Sequence, residues 1–219
     1  MNTISKIWLK TKCFFKSRPG SILILYWPFH EICYALLNKF TPTMQYHIIY
    51  TPFDDKIPFC EYFVLPYILW FFYIAATLIY FLVKNKKDYM RTSAMLIGGM
   101  VVSMIICAVY PTMHELRPAV MANNNFCTSI VKSLYSIDNA AVLLPSMHVL
   151  ISCLLCIAIW TSESLKKNTL IKISSLILSV AICFSTVLIK QHSILDVILA
   201  LILVMPFYWF GDFVGRKTS

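Results

Sequence analysis

The chain has 219 residues, 59% of them hydrophobic and only 13% charged, with a net charge of +9. A soluble domain carries about 25% charged residues, so the composition excludes a soluble globular protein and places most of the chain in lipid. The positive charges sit beside apolar runs and read as membrane topology; this argues against nucleic acid and leaves a bilayer and a membrane lipid as the expected partners.

Residues 1–19 alternate Lys6, Lys10, Lys12, Lys16 and Arg18 with Ile4, Trp8, Leu9, Phe14 and Phe15. That pattern predicts a basic amphipathic segment on an anionic membrane surface. No small-residue cleavage site follows, and further apolar runs do, so the start does not read as a signal peptide. Six apolar segments approach the roughly 17–25 residues that cross a bilayer: 20–38, 62–83, 93–110, 141–160, 170–189 and 194–211. They predict an all-α polytopic bundle of six transmembrane helices over 20–213, with a cytoplasmic tail at 214–219. The first segment contains His30 and Glu31, which read either as an intramembrane functional pair or, more simply, as a polar contact between helices.

Eight cysteines are present, most inside apolar runs. Cys153 and Cys156 form a C-x-x-C within a span and read as small buried hydrophobes rather than a redox or metal site. Cys60 and Cys127 are the two placed for a disulfide.

With the N-terminus in the cytoplasm, thirteen Lys and Arg residues fall in inside segments and five (Lys39, Lys56, Arg117, Lys132 and Lys190) in outside ones. This positive-inside bias puts both termini in the cytoplasm. On that parity the polar residues that stand out converge on the extracytoplasmic face. They lie in Tyr110 to Pro118, with His114 and Arg117; in Pro145-Ser146-Met147-His148; and in Ser185-Thr186 followed by Lys190, His192 and Asp196. His192 and Asp196 share a face if the segment from His192 onward is helical, and a carboxylate fixes an imidazole's tautomer. Pro145 suits a first helical turn, whose free N–H groups and the Ser146 hydroxyl would form an anion site. Arg117, Lys190 and that helix start would bind phosphate oxygens. One histidine would attack phosphorus while the other protonates the leaving alcohol. No second carboxylate cluster accompanies them, so no metal and no cofactor is expected.

These motifs resemble the type 2 phosphatidic acid phosphatase superfamily, which shares its core with vanadium haloperoxidases. The family pattern K-x6-R-P, P-S-x-H and S-R-x5-H-x3-D is matched by Arg117-Pro118, by residues 145–148, and by Ser185, His192 and Asp196, across about residues 105–200. The resemblance implies His192 as nucleophile forming a phosphohistidine, Asp196 as its orienting carboxylate and His148 as general acid. It implies Arg117, Ser146 and Lys190 as the phosphate cradle. Two positions depart from the pattern: Tyr110 stands in place of the Lys, and Thr186 in place of the Arg after Ser185. Lys190 would compensate for the second on a continuing helix, and His114 is a candidate for the first. The leading expectation is a metal-independent phosphatase of lipid phosphates, such as phosphatidate, or of polyprenyl diphosphates. The alternative is a phosphotransferase like the sphingomyelin and inositol phosphorylceramide synthases, which a pocket with fewer fixed cations would suit. A non-catalytic transporter or scaffold is the minor alternative. Small size and short loops fit a bacterial inner membrane, and the loop 119–139 is expected to shape the pocket mouth.

Overall fold

The computed structural model describes residues 19–40, 45–141 and 143–217, so the expected amphipathic segment lies almost wholly outside the described residues. A 3-10 turn, Pro19–Leu25, leads into helix α1 (Tyr26–Phe40). The helices α2 (Val64–Lys84), α3 (Lys86–Val109), α4 (Phe126–Ile137), α5 (Met147–Trp160), α6 (Thr169–Leu188) and α7 (Ile194–Lys217) follow. The one sheet among the described residues pairs β1 (His47–Ile48) with β2 (Thr112–Met113) in parallel.

Among the described residues, five helical segments are long and apolar enough to cross a membrane: Gly20–Phe40, Glu61–Lys84, Lys86–Val109, Thr169–Leu188 and Ile194–Lys217. The chain is an all-α, multi-pass membrane bundle. The sixth expected span is shorter than its apolar run: α5 starts at Met147, and 143–146, with a cis Leu144–Pro145 bond, lies outside the helix. Pro145 therefore precedes the helix, and Ser146 is its N-cap residue. In compensation α5 is central. Val149, Leu150, Ile151, Leu154, Leu155 and Ala158 are all fully buried, which is why its run has no polar face.

α3 begins at Lys86, earlier than the apolar pattern at 93–110. Asn85 ends α2 by donating its N–H to Phe81 O, and its side chain caps α3 by accepting from Lys87 N and Asp88 N. The two buried charges this brings into the helix, Asp88 and Arg91, are hydrogen-bonded. Asp88 Oδ2 accepts from Ser162 Oγ at 2.6 Å and Ser164 Oγ at 3.1 Å, and Arg91 Nη2 donates to Ala158 O at 3.2 Å and Thr161 Oγ1 at 2.6 Å. This clasp ties α3 to the far end of α5. α7 lies close along α3 because Gly211 has no side chain; a Cβ there would sit 2.1 Å from Met95 Cγ and 2.8 Å from Arg91 O. Small residues at such a crossing are the usual means of close helix approach in lipid. Inside the bundle, Tyr73 OH pairs with Ser175 Oγ at 2.6 Å, and Ser179 Oγ donates to Ser152 O at 3.1 Å.

The opposite end of the bundle carries the connecting segments 45–63, 110–125, 138–141, 143–146 and 189–193. The strand pair joins the first two, and His114 N donates to Ala140 O at 3.1 Å. The expected loop at 119–139 is instead mostly helix α4, capped by Asn125, whose Oδ1 accepts from Thr128 N at 2.9 Å. Cys60 and Cys127 are free thiols, so the expected disulfide is absent; Cys127 is buried in a small apolar cluster with Val64, Tyr67, Val131 and Ile189.

Candidate active site

His192 lies just before α7, not within it. Helix α6 ends at Leu188, and the chain turns through 189–193, with Gln191 N and His192 N both donating to Thr186 O. The expected helical continuation from His192 fails, yet the pair still forms. Asp196 sits in the first turn of α7, where its Oδ2 accepts from Ser193 N at 3.0 Å and meets His192 Nδ1 at 3.2 Å. Asp196 is fully buried. Nδ1 is thereby committed, and Nε2 is the ring nitrogen left for chemistry.

His148, in the first turn of α5, faces the same space, with its ring centre 6.5 Å from that of His192. Its ring lies between Tyr67 and Trp70 of α2, stacked on each with centroids 4.0 Å apart. Its Nε2 has no hydrogen-bond partner among the described residues. Two aromatic faces hold the ring by shape and leave its nitrogen unspent. Both histidines line a cavity of about 390 Å³, whose other walls include Glu31, Tyr34, Trp70, Ser103 and Asp138. Two polar groups in that wall, Ser103 Oγ and Trp70 Nε1, are buried and have no partner among the described residues. Beside the cavity, Ser146 Oγ at the α5 N-cap is in the same state. A helix start leaves its first N–H groups without intrahelical partners, so this end of α5 retains donors suited to anionic oxygens.

The expected cations are placed otherwise. Arg117 Nη1 donates to Tyr135 O at 3.3 Å and Asp138 O at 2.8 Å, and Nη2 donates to Gln191 Oε1 at 2.5 Å. It stacks its guanidinium over the Tyr135 ring and clamps the end of α4. Burial pulls its pKa down, and Asp138 opposes the shift. Lys190, with α6 ended before it, is not on a helical face with Thr186 as expected. Its Nζ donates to Asp54 O at 2.7 Å and Ile57 O at 2.6 Å, away from the cavity wall. Burial lowers its pKa, against Asp54 and Asp55, which hold it up.

The remaining expected residues do not line the cavity. Ser185 Oγ and Thr186 Oγ1 bond back to Ile182 O and Cys183 O within α6. Tyr110 is half exposed and stacks on His47. His114 is buried, not solvated: Nδ1 accepts from Leu116 N at 3.2 Å, so Nε2 carries the proton and donates to Gln191 O at 2.9 Å. Burial holds its pKa below the ordinary histidine value, and the nearby His192 pushes the same way. His30 is buried with Nδ1 3.7 Å from Glu31 Oε1, and neither ring nitrogen has a hydrogen-bond partner among the described residues.

Several residues of the site carry no sequence motif. Tyr67 and Trp70 are indistinguishable in the sequence from other aromatics of an apolar span. Asp138 is the lone acid between residues 119 and 144, a signal that does point to it. Tyr34 OH donates to its Oδ1 at 3.1 Å, while burial raises its pKa.

A family model, the PAP2 superfamily, matches residues 92–210. The chain belongs to the PAP2 superfamily. The matched region holds His148, His192, Asp196, Arg117 and Ser146, whereas Glu31, Asp54, Tyr67 and Trp70 lie outside it. No curated protein and no solved structure matches the chain. Superfamily membership supports phosphatase-type or phosphotransferase-type chemistry on lipids.

Proposed function

We propose that this PAP2 superfamily member is a metal-independent lipid phosphatase that works through a phosphohistidine at His192, at the extracytoplasmic face of the membrane. The observation that carries the reading is the single cavity shared by His192, held by Asp196, and His148, held between two aromatic rings. Nε2 of His192 attacks phosphorus, and the bond from phosphorus to the lipid oxygen breaks. His148 gives the leaving oxygen its proton, and the lipid leaves as an alcohol from a monophosphate or as a lipid monophosphate from a diphosphate. Water then attacks the phosphohistidine, His148 takes the water's proton, and the N–P bond breaks to release inorganic phosphate. Asp196 stabilises the positive charge that the His192 ring carries while phosphorylated. The N–H groups and hydroxyl at the start of α5 receive the phosphoryl oxygens. The substrate is a lipid phosphate or polyprenyl diphosphate, its chain lying among the apolar helices.

A second reading, transfer of a head-group phosphate to another lipid alcohol, is favoured by one observation. The cavity wall holds Glu31 and Asp138 and, among the described residues, no Lys or Arg. A singly charged phosphodiester tolerates that wall better than a monoester dianion does. The test offers the purified protein a lipid phosphate, a lipid diphosphate, and a labelled phospholipid with diacylglycerol or ceramide, all in EDTA. Free phosphate supports the hydrolase. Label recovered in a new phospholipid, without free phosphate, replaces it with the transferase.

A further inference from the structure

The segment between α1 and α2 lies outside the family-matched region, yet it grips the turn that carries His192. Asp54 is 1% exposed. Its Oδ2 accepts from Thr51 N at 2.8 Å, Thr51 Oγ1 at 3.0 Å and Ser193 Oγ at 2.8 Å, and its Oδ1 accepts from Ile194 N at 2.8 Å. Ser193 and Ile194 are the two residues that follow His192. From the other side of the same turn, Lys190 Nζ reaches the carbonyls of Asp54 and Ile57. Lys190 has φ 53°, a left-handed conformation that a residue other than glycine keeps only where its surroundings impose it. Burial alone would raise the Asp54 pKa, but the bonds from Ile194, Ser193 and Thr51 outweigh it and hold it below the ordinary aspartate value. It is therefore a carboxylate at neutral pH.

We propose that Asp54 is a positioning residue for the reaction, fixing the 190–194 turn so that His192 Nε2 stays aimed into the cavity. The role rests on the reading of His192 as nucleophile. Two carboxylates divide the task. Asp196 holds the imidazole through Nδ1 and so sets the ring's rotation. Asp54 holds the backbone from which the ring hangs, by bonding the residues immediately after it. The α7 start has its own N-cap in Ser193, whose Oγ accepts from Leu195 N at 3.3 Å. Asp54 adds a tie from that cap to a separate segment of chain. Displacing a nucleophile by about 1 Å costs on the order of 100-fold in rate, so a loosened turn lowers turnover before it lowers binding.

The experiment compares wild type, Asp54→Ala, Asp54→Asn and His192→Ala, each full-length and purified in detergent. It measures kcat and KM per folded molecule on a lipid phosphate, and inhibition by orthovanadate, a mimic of five-coordinate phosphorus. The expected result for Asp54→Ala is a kcat lower by about 10–100-fold with KM changed by no more than about twofold. Vanadate inhibition weakens by the same factor as kcat, as loss of transition-state binding requires. Asp54→Asn, which keeps one acceptor oxygen, falls between. A purely structural role would reduce yield and thermal midpoint while each folded molecule kept wild-type kcat and vanadate affinity; that result overturns the proposal. If Asp54→Ala does not fold, Asp54→Asn decides by the same criterion. Phosphate release that persists in His192→Ala instead overturns the nucleophile assignment, and the positioning role with it, whatever the Asp54 variants do.

Discussion

At the scale of the residue, His192 is defined by what its two nitrogens do. Nδ1 is spent on a fully buried carboxylate, so Nε2 is the nitrogen left free in a ring that lines the cavity. Asp196→Asn keeps the shape of that carboxylate but neither fixes the tautomer nor offsets the charge of a phosphohistidine. The expected loss in kcat is about 10²–10⁴-fold, by analogy with carboxylate loss from other histidine pairs, and steady-state assay of the folded variant checks it. His114 shows the opposite use of an imidazole. Both of its nitrogens hold backbone, and the ring must stay neutral to accept from Leu116 N. Its folded pKa lies below the ordinary value of 6.5 because it is buried. The unfolded chain therefore binds the proton first as pH falls, and the stability held above pH 6.5 is lost below it. The thermal midpoint is expected to drop between pH 7 and pH 5, and to drop less in His114→Gln. The meeting of His192, Asp196 and His148 was legible because each residue stands in a short motif. Asp54 was not, because its contacts join positions about 140 apart and no local pattern encodes them. Lys190 points away from where a continuing helix would put it, because α6 ends at Leu188.

At the scale of the element, hydropathy located the spans but not their ends. The start of α3 at Lys86 depended on a cap and on partners for Asp88 and Arg91 that lie in the α5–α6 connection. α5 starts only at Met147, and the residues before it are as apolar as the helix, so the two merge in the sequence. The α3–α7 crossing rests on Gly211. Gly211→Ala drives a methyl into Met95 and the Arg91 carbonyl, and overpacking of this kind costs about 1–3 kcal/mol. The expected outcome is a lower thermal midpoint in detergent, with turnover per folded molecule unchanged, since Gly211 lies at the end of the bundle away from the histidines.

At the scale of the whole molecule, most of the buried charged residues sit at the two ends of an apolar bundle. One end holds Asp88 bonded to Ser162 and Ser164, and Arg91 bonded to Ala158 O and Thr161 Oγ1. The other holds the cavity, both its histidines, and the loops that support them. On the proposed topology the first end is cytoplasmic and the second extracytoplasmic, which places the reaction where a membrane lipid's head group emerges. The central claim is that His192 carries the phosphoryl group. The most direct measurement is trapping of labelled enzyme during turnover of a lipid substrate labelled at phosphorus, in wild type and in His192→Ala, with EDTA present. The account predicts an acid-labile, base-stable phosphoenzyme whose label maps to His192 and which the variant lacks, together with loss of turnover. Turnover that continues in the variant, or label on another residue, would contradict it.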